Sequence, residues 1–159
     1  MNDATGHGRI VVGVDGSAAS IAALREALAI AEATGARVEA IACWSVPTAL
    51  AVQYALGNID LEGGARRAFH ETLVQAFGEY TPGIVSTHLV QGDARQVLPG
   101  LATGAEMLVV GRRGMGGLAG LVMGSVSQAC LAHAACPVMV IPAGVAPETS
   151  GAVDGPGAP

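Results

Sequence analysis

The chain has 159 residues, which suits one domain with a single core, and its net charge of −5 argues against nucleic acid as a partner, because tight binding to a phosphate backbone takes a basic face. Hydrophobic residues make up 51% and charged residues only 13%, the balance of elements buried on both sides, as in a parallel sheet covered by helices. Aromatic residues are scarce, at 3%, and the abundant alanine fits close helix packing.

Met1 to Gly8 is polar and short, unlike a secretory signal, and reads as a flexible start. Arg9 to Asp15 is a β-branched apolar run closing on an acid, as a buried parallel strand should. Gly16 and Ser17 turn the chain. Ser17 can cap a helix that starts near Ala18, carries Ile21, Leu24, Leu28 and Ile30, and stops near Gly35. Arg37 to Cys43 reads as a second strand, which completes a βαβ unit. Ser45 to Asn58 has no clean period and reads as a loop or a short irregular helix. Leu61 to Tyr80, charged at Arg66, Arg67, Glu71 and Glu79 and apolar at Phe69, Leu73, Ala76 and Phe77, predicts a surface helix broken by Thr81-Pro82-Gly83. Ile84 to Val90 predicts the third strand, Asp93 the N-cap of a helix over Ala94 to Ala102, and Met107 to Val110 the fourth strand. A helix over Val126 to Ala135 and a fifth strand over Pro137 to Ile141 follow. Past Pro142 the composition turns to Gly, Ala, Pro, Glu, Thr and Ser, so residues 9–143 are read as the domain and 144–159 as a disordered tail.

Strands alternating with helices predict an α/β fold: a doubly wound five-stranded parallel sheet with right-handed crossovers and helices on both faces. In such sheets ligands bind beyond the carboxyl ends of the strands, where the strand order reverses. With strands one and four adjacent at that point, Val14-Asp15-Gly16-Ser17 faces Gly111 to Gly114 across the crevice.

The region with most chemistry is Val109 to Ser127, an apolar run ending at Gly111, a loop with Gly114, Gly116, Gly117 and Gly120, and Gly124-Ser125 opening a helix. Glycines admit an anion close to backbone N–H groups, and the first N–H groups of a helix lack partners within it, so this pattern reads as a phosphate cradle. No Lys follows Gly124, which excludes a P-loop, and the glycines do not crowd directly behind the strand, which excludes a Rossmann fingerprint. Between Arg113 and Glu148 the chain has no Asp, Glu, Lys or Arg, yet the glycines, Gln128, His133 and Pro137 read as loop, helix and strand rather than a membrane span.

Cys43, Cys130 and Cys136 lack metal-ligand spacing even with His133 and read as free thiols in a reducing cytoplasm. His7, His70, His88 and His133 do not cluster. Trp44 directly follows a strand, where packing is a better reading than stacking on a base.

Gly111, two residues, Gly114, nine residues, Gly124 and Ser125 form a spacing that resembles the nucleotide-binding signature of the universal stress protein family, in its ATP-binding branch. The likeness covers Arg9 to about Ala143 through three pieces: Ile-Val-Val-Gly-Val-Asp-Gly-Ser from Ile10, Leu-Val-Val-Gly-Arg-Arg-Gly from Leu108, and Gly-Ser-Val-Ser from Gly124 through Cys136-Pro-Val-Met-Val-Ile. The resemblance implies the strand order 3-2-1-4-5, ATP as ligand and a homodimer through the Pro137–Ile141 edge; Mg is expected with the nucleotide's phosphates, and the residue spacing offers no metal site of the protein's own. It implies that Gly13, Val14 and Asp15 border the nucleotide, with Asp15 at base and ribose, that Cys43 and Val110 border adenine, and that Gly111 approaches the ribose. It also implies that Gly114, Gly124, Ser125, Val126 and Ser127 hold the phosphates. Arg112 stands where the family commonly has a small residue; it is either a charge-assisted phosphate contact or a solvated charge beside the mouth. No catalytic group stands out, so the expectation is a nucleotide-responsive regulatory module in a stress response, acting on an unidentified protein partner. The alternatives are a slow Mg-dependent ATPase, a sensor of AMP or cyclic AMP, a structural dimer without ligand, and, distantly, a flavoprotein.

Overall fold

The computed structural model describes residues 7–114 and 123–143, so the proposed tail and most of the glycine loop lie outside the described residues. Strands β1 (Arg9–Val14), β2 (Arg37–Trp44), β3 (Val85–Gln91), β4 (Met107–Gly111) and β5 (Val138–Ile141) form one parallel sheet in the order β3-β2-β1-β4-β5. Between them run helices α1 (Ala18–Thr34), α2 (Ala51–Ala55), α3 (Leu61–Phe77), α4 (Ala94–Leu101) and α5 (Ser125–His133).

Alternation along the strands builds two separate cores. Ile10, Val12 and Val14 of β1 pack with Ala23, Leu24, Ala27 and Ala31 of α1 and with Phe69 and Leu73 of α3. Val11 of β1, Ile41 of β2, and Leu108 and Val110 of β4 pack on the other face with Leu98 of α4 and Cys130 of α5. The buried stripe Ala19, Ala23, Ala27 and Ala31 repeats at helical spacing and lets α1 lie close to the sheet, which gives the alanine content its use. Right-handed crossovers explain the layering: the chain steps from β1 to β3 with α1 and α3 on one face, then back through β4 to β5 with α4 and α5 on the other. The direction reverses between β1 and β4, which pair in register with Val12 opposite Val109.

Local capping follows the sequence closely. The Ser17 hydroxyl accepts a hydrogen bond from the Ser20 N–H at 3.1 Å, Gly35 takes a left-handed φ of 75°, and the Asp93 carboxylate accepts from the Arg95 N–H at 2.9 Å. Several boundaries differ from expectation. α3 ends at Phe77 rather than Tyr80, because Gly78 adopts φ 85° and leads the chain out before Thr81-Pro82-Gly83 is reached. β2 runs on through Trp44, and Gln91 rather than Ile84 belongs to β3, since the two strands pair in register from Val38 opposite Val85 to Trp44 opposite Gln91. α5 starts at Ser125 and ends at His133, and β5 starts at Val138. Ser45 to Asn58 holds a 3-10 turn (Thr48–Leu50) and the one-turn α2.

The candidate functional site

A cavity of about 330 Å³ opens where β1 and β4 part, at the carboxyl ends of the strands. That volume sits at the lower end of the roughly 300–1,000 Å³ common for small-molecule sites. Gly13, Val14 and Asp15 of the β1 end form one wall, together with Ser17 and Ser20 of the first turn of α1. Ile41, Cys43, Ala94, Leu98 and Val110 form an apolar floor. Gly111, Arg113, Gly114, Gly124, Ser125, Val126 and Ser127 close the far side. Every residue expected at the site from the sequence therefore borders this one cavity, except Arg112.

The glycines are there for different reasons. A Cβ on Gly111 would stand 2.7 Å from the Ala19 Cβ and 2.9 Å from its carbonyl carbon, so this glycine is needed for α1 to pass close behind β4. A Cβ on Gly13 would meet Leu98 Cδ1 at 2.6 Å, which ties that glycine to the packing of α4. Gly114 faces the Asp15 carboxylate, whose Oδ2 occupies the space a Cβ would need. Gly124 is different: its φ is −75° and its ψ 164°, open to any residue, and the nearest atoms to an added Cβ are Arg113 Cα at 3.4 Å and Arg112 O and Gly114 N at 3.5 Å. Among the described residues, neither backbone strain nor packing explains a glycine there. As the N-cap of α5, it offers no side-chain cap, whereas Ser17 and Asp93 cap α1 and α4 at the same end of the sheet.

Two buried serines fasten the turns that flank the cavity. Ser127, 2% exposed, donates its hydroxyl to Gly111 O at 2.5 Å, with Arg112 O 3.3 Å away, and so joins the end of β4 to α5. Ser20, also 2% exposed, donates to Ser17 O at 3.0 Å and accepts from the Asp15 N–H at 3.4 Å. The Asp15 Oδ1 accepts from the Ser17 N–H at 2.9 Å, which holds the carboxylate at the rim. Because its proton goes to a carbonyl, the Ser127 hydroxyl shapes the loop in this state rather than offering a donor to the cavity.

Arg112, read from the sequence as either a phosphate contact or a solvated charge beside the mouth, lies outside the cavity lining. Its N–H donates to Ile141 O at 2.7 Å and its carbonyl accepts from the Gly124 N–H at 2.7 Å, so its backbone is held between β5 and α5. Its Nε is buried without a hydrogen bond, and it is Arg113 that borders the cavity. Consecutive residues at the end of an extended strand project to opposite sides, which separates the two arginines. Cys43 is a neutral wall: burial first, and the nearby Asp93 charge second, push its thiol up to about 11. Trp44 lies outside the cavity lining and packs edge-on against Tyr54, with ring centroids 6.1 Å apart.

Sequence reasoning missed Ser20, Ile41, Ala94, Leu98 and Arg113 as lining residues. Ser20 left a faint trace, three residues beyond the Ser17 cap, but the apolar ones look like any core position until the fold brings their elements together. Among the described residues, no group of three or more His, Cys, Asp or Glu is placed to hold a metal ion, and no helix is long and apolar enough to cross a membrane.

Fold and cavity together define a class: doubly wound α/β proteins with a ligand crevice at the topological switch point. Residues 6–142 match the model of the Universal stress protein family, and the chain belongs to that family. A universal stress protein of Mycobacterium tuberculosis is 33% identical over 138 residues, covering 84% of this chain and 45% of the relative. One of Mycolicibacterium smegmatis is 31% identical over 150 residues, covering 89% of this chain and 50% of the relative. The chain thus spans about half the length of the curated relatives it matches. Among solved structures, the universal stress protein UspA of Lactobacillus plantarum superimposes with a TM-score of 0.69 at 23% identity, covering 85% of this chain and 97% of the other. A universal stress protein in complex with cAMP superimposes with a TM-score of 0.55 at 25% identity, covering 87% of this chain and 98% of the other.

Proposed function

We propose that this chain binds an adenine nucleotide, ATP foremost, in the cavity between β1 and β4, and serves as a nucleotide-responsive regulatory module in a stress response. The observation that carries the reading is Gly124: a glycine that its own backbone angles and the packing of the described residues do not require, at the open N-terminus of a helix, facing a cavity. A phosphate oxygen resting on the main chain is the partner that makes such a glycine useful. Gly114, Gly124, Ser125 and Val126 would hold the phosphates through backbone N–H groups, while the apolar floor of Ile41, Cys43, Leu98 and Val110 would take the base. Asp15, at the β1 end, would accept hydrogen bonds from ribose hydroxyls. A Mg ion would enter with the nucleotide, bound to phosphate oxygens and supplying charge neutralisation there.

Cyclic AMP is the nearest competing ligand, since a similar structure was solved in complex with it. Hydrolysis is the second activity to weigh. Asp15 is the one carboxylate among the described lining residues, and its Oδ1 already accepts from the Ser17 N–H, which holds it away from the role of a base toward water. The reading is tested by denaturing the purified protein and identifying the released small molecule, then titrating stripped protein with ATP, AMP and cAMP. Adenine nucleotide binding supports it; a protein that binds none of the three overturns it. Mg-dependent multiple-turnover phosphate release at an ordinary enzyme rate, roughly 1 per second or more, would replace the module reading with an enzyme.

A further inference from the structure

We infer that Arg113 makes the cavity prefer nucleotides with a polyphosphate chain over mononucleotides and cyclic phosphates; the inference rests on the nucleotide reading above. The lining residues include one cation, Arg113, and one anion, Asp15. Without Arg113 the described lining would carry only the Asp15 charge, and every phosphate added to a ligand would meet net repulsion. The helix terminus offsets this weakly, at roughly half a charge. A full guanidinium charge is what reverses the trend, and its planar fork suits two phosphate oxygens at once.

Placement favours this residue. Arg113 Cα lies 3.4 Å from where a Cβ of Gly124 would stand, so its backbone runs beside the first turn of α5, at the polar end of the cavity and away from the apolar floor. Within the described residues its guanidinium makes no hydrogen bond or ion pair, unlike the arginines at 9, 25, 66 and 95. All eight basic side chains of the protein are arginines, so no lysine is present to take over this role. Arg112, pinned between β5 and α5 and outside the lining, does not substitute for it.

The test is calorimetric titration of the full chain with ATP, ADP, AMP and cAMP at two salt concentrations, in the parent, Arg113→Gln, Arg113→Lys, Arg112→Gln and Arg66→Gln. The expected result is that the parent binds ATP tighter than AMP or cAMP. Arg113→Gln should weaken ATP about tenfold or more, the scale of a lost charge-assisted contact, while AMP and cAMP change far less and the salt dependence flattens. Arg113→Lys should keep the ranking, and Arg66→Gln, on the outer face of α3, should match the parent. An equal loss for all four ligands, an unchanged ATP preference in Arg113→Gln, or an effect carried by Arg112→Gln would overturn the inference while leaving nucleotide binding intact. A parent that binds none of the four ligands would overturn the nucleotide reading itself.

Discussion

Replacing Gly124 by Val separates the needs of the fold from those of a ligand. Among the described residues the substitution meets no obstacle at Cβ, since their nearest atoms are 3.4 Å away or more and φ is −75°. The cost should be that of a poorer N-cap, about 1 kcal/mol, or roughly 2 to 4 °C in melting temperature for a domain this size. Mg-ATP at a hundred times its dissociation constant should stabilise the parent by about 2.7 kcal/mol, roughly 5 to 11 °C. Gly124→Val places a branched side chain where phosphate oxygens would rest, so most of that shift should vanish while the protein stays folded. Differential scanning fluorimetry with and without Mg-ATP, checked by circular dichroism, reads both effects. A variant that melts near the parent and keeps the full ATP shift would refute the argument that this helix start is the phosphate site.

Gly111→Ala should behave in the opposite way, losing about 1 to 3 kcal/mol of stability in ligand-free protein, because its Cβ would press into the Ala19 backbone; chemical denaturation measures it. Ser127→Ala should cost about 0.5 to 1.5 kcal/mol by leaving the half-buried Gly111 carbonyl at the end of β4 without its hydroxyl donor, and should weaken ATP only in part; an unchanged denaturation midpoint would show that the 2.5 Å bond to Gly111 O contributes nothing. At high pH, stability should fall between about pH 9 and 11. The Cys43 and Cys130 thiols are held up to about 11 in the folded chain, chiefly by burial, so the unfolded chain ionises first and gains as pH rises; a flat pH profile there would contradict this. β5 is a sheet edge, and we predict that it pairs with a second copy of the chain. Pro137 O and Ile141 O both point toward β4, so the alternate residue Val140 turns its N–H outward; Val140→Pro should keep the fold yet give a monomer by light scattering, and an unchanged dimer would move the interface elsewhere.

Much of this protein was legible along the chain because the signals are local. The run Arg9–Val14, the caps Ser17 and Asp93, and the stop at Gly35 each act within a few residues, and alternating strands and helices leave a doubly wound sheet as the compact solution. The spacing from Gly111 through Gly124 to Ser125 was visible as well, since glycine before a helix start is a short-range pattern. Tertiary structure decided the rest. Two adjacent arginines are alike in sequence, and only the bonds from Arg112 to Ile141 and Gly124, across the sheet and the loop, determine that Arg113 borders the cavity. The glycines were equivalent as letters, yet Gly111 answers to Ala19 on another helix, while no described residue comes close enough to Gly124 to demand a glycine there. Ile41 and Leu98 became cavity floor because β2 and α4 converge there, and apolar periodicity says only that a side chain is covered, never by what.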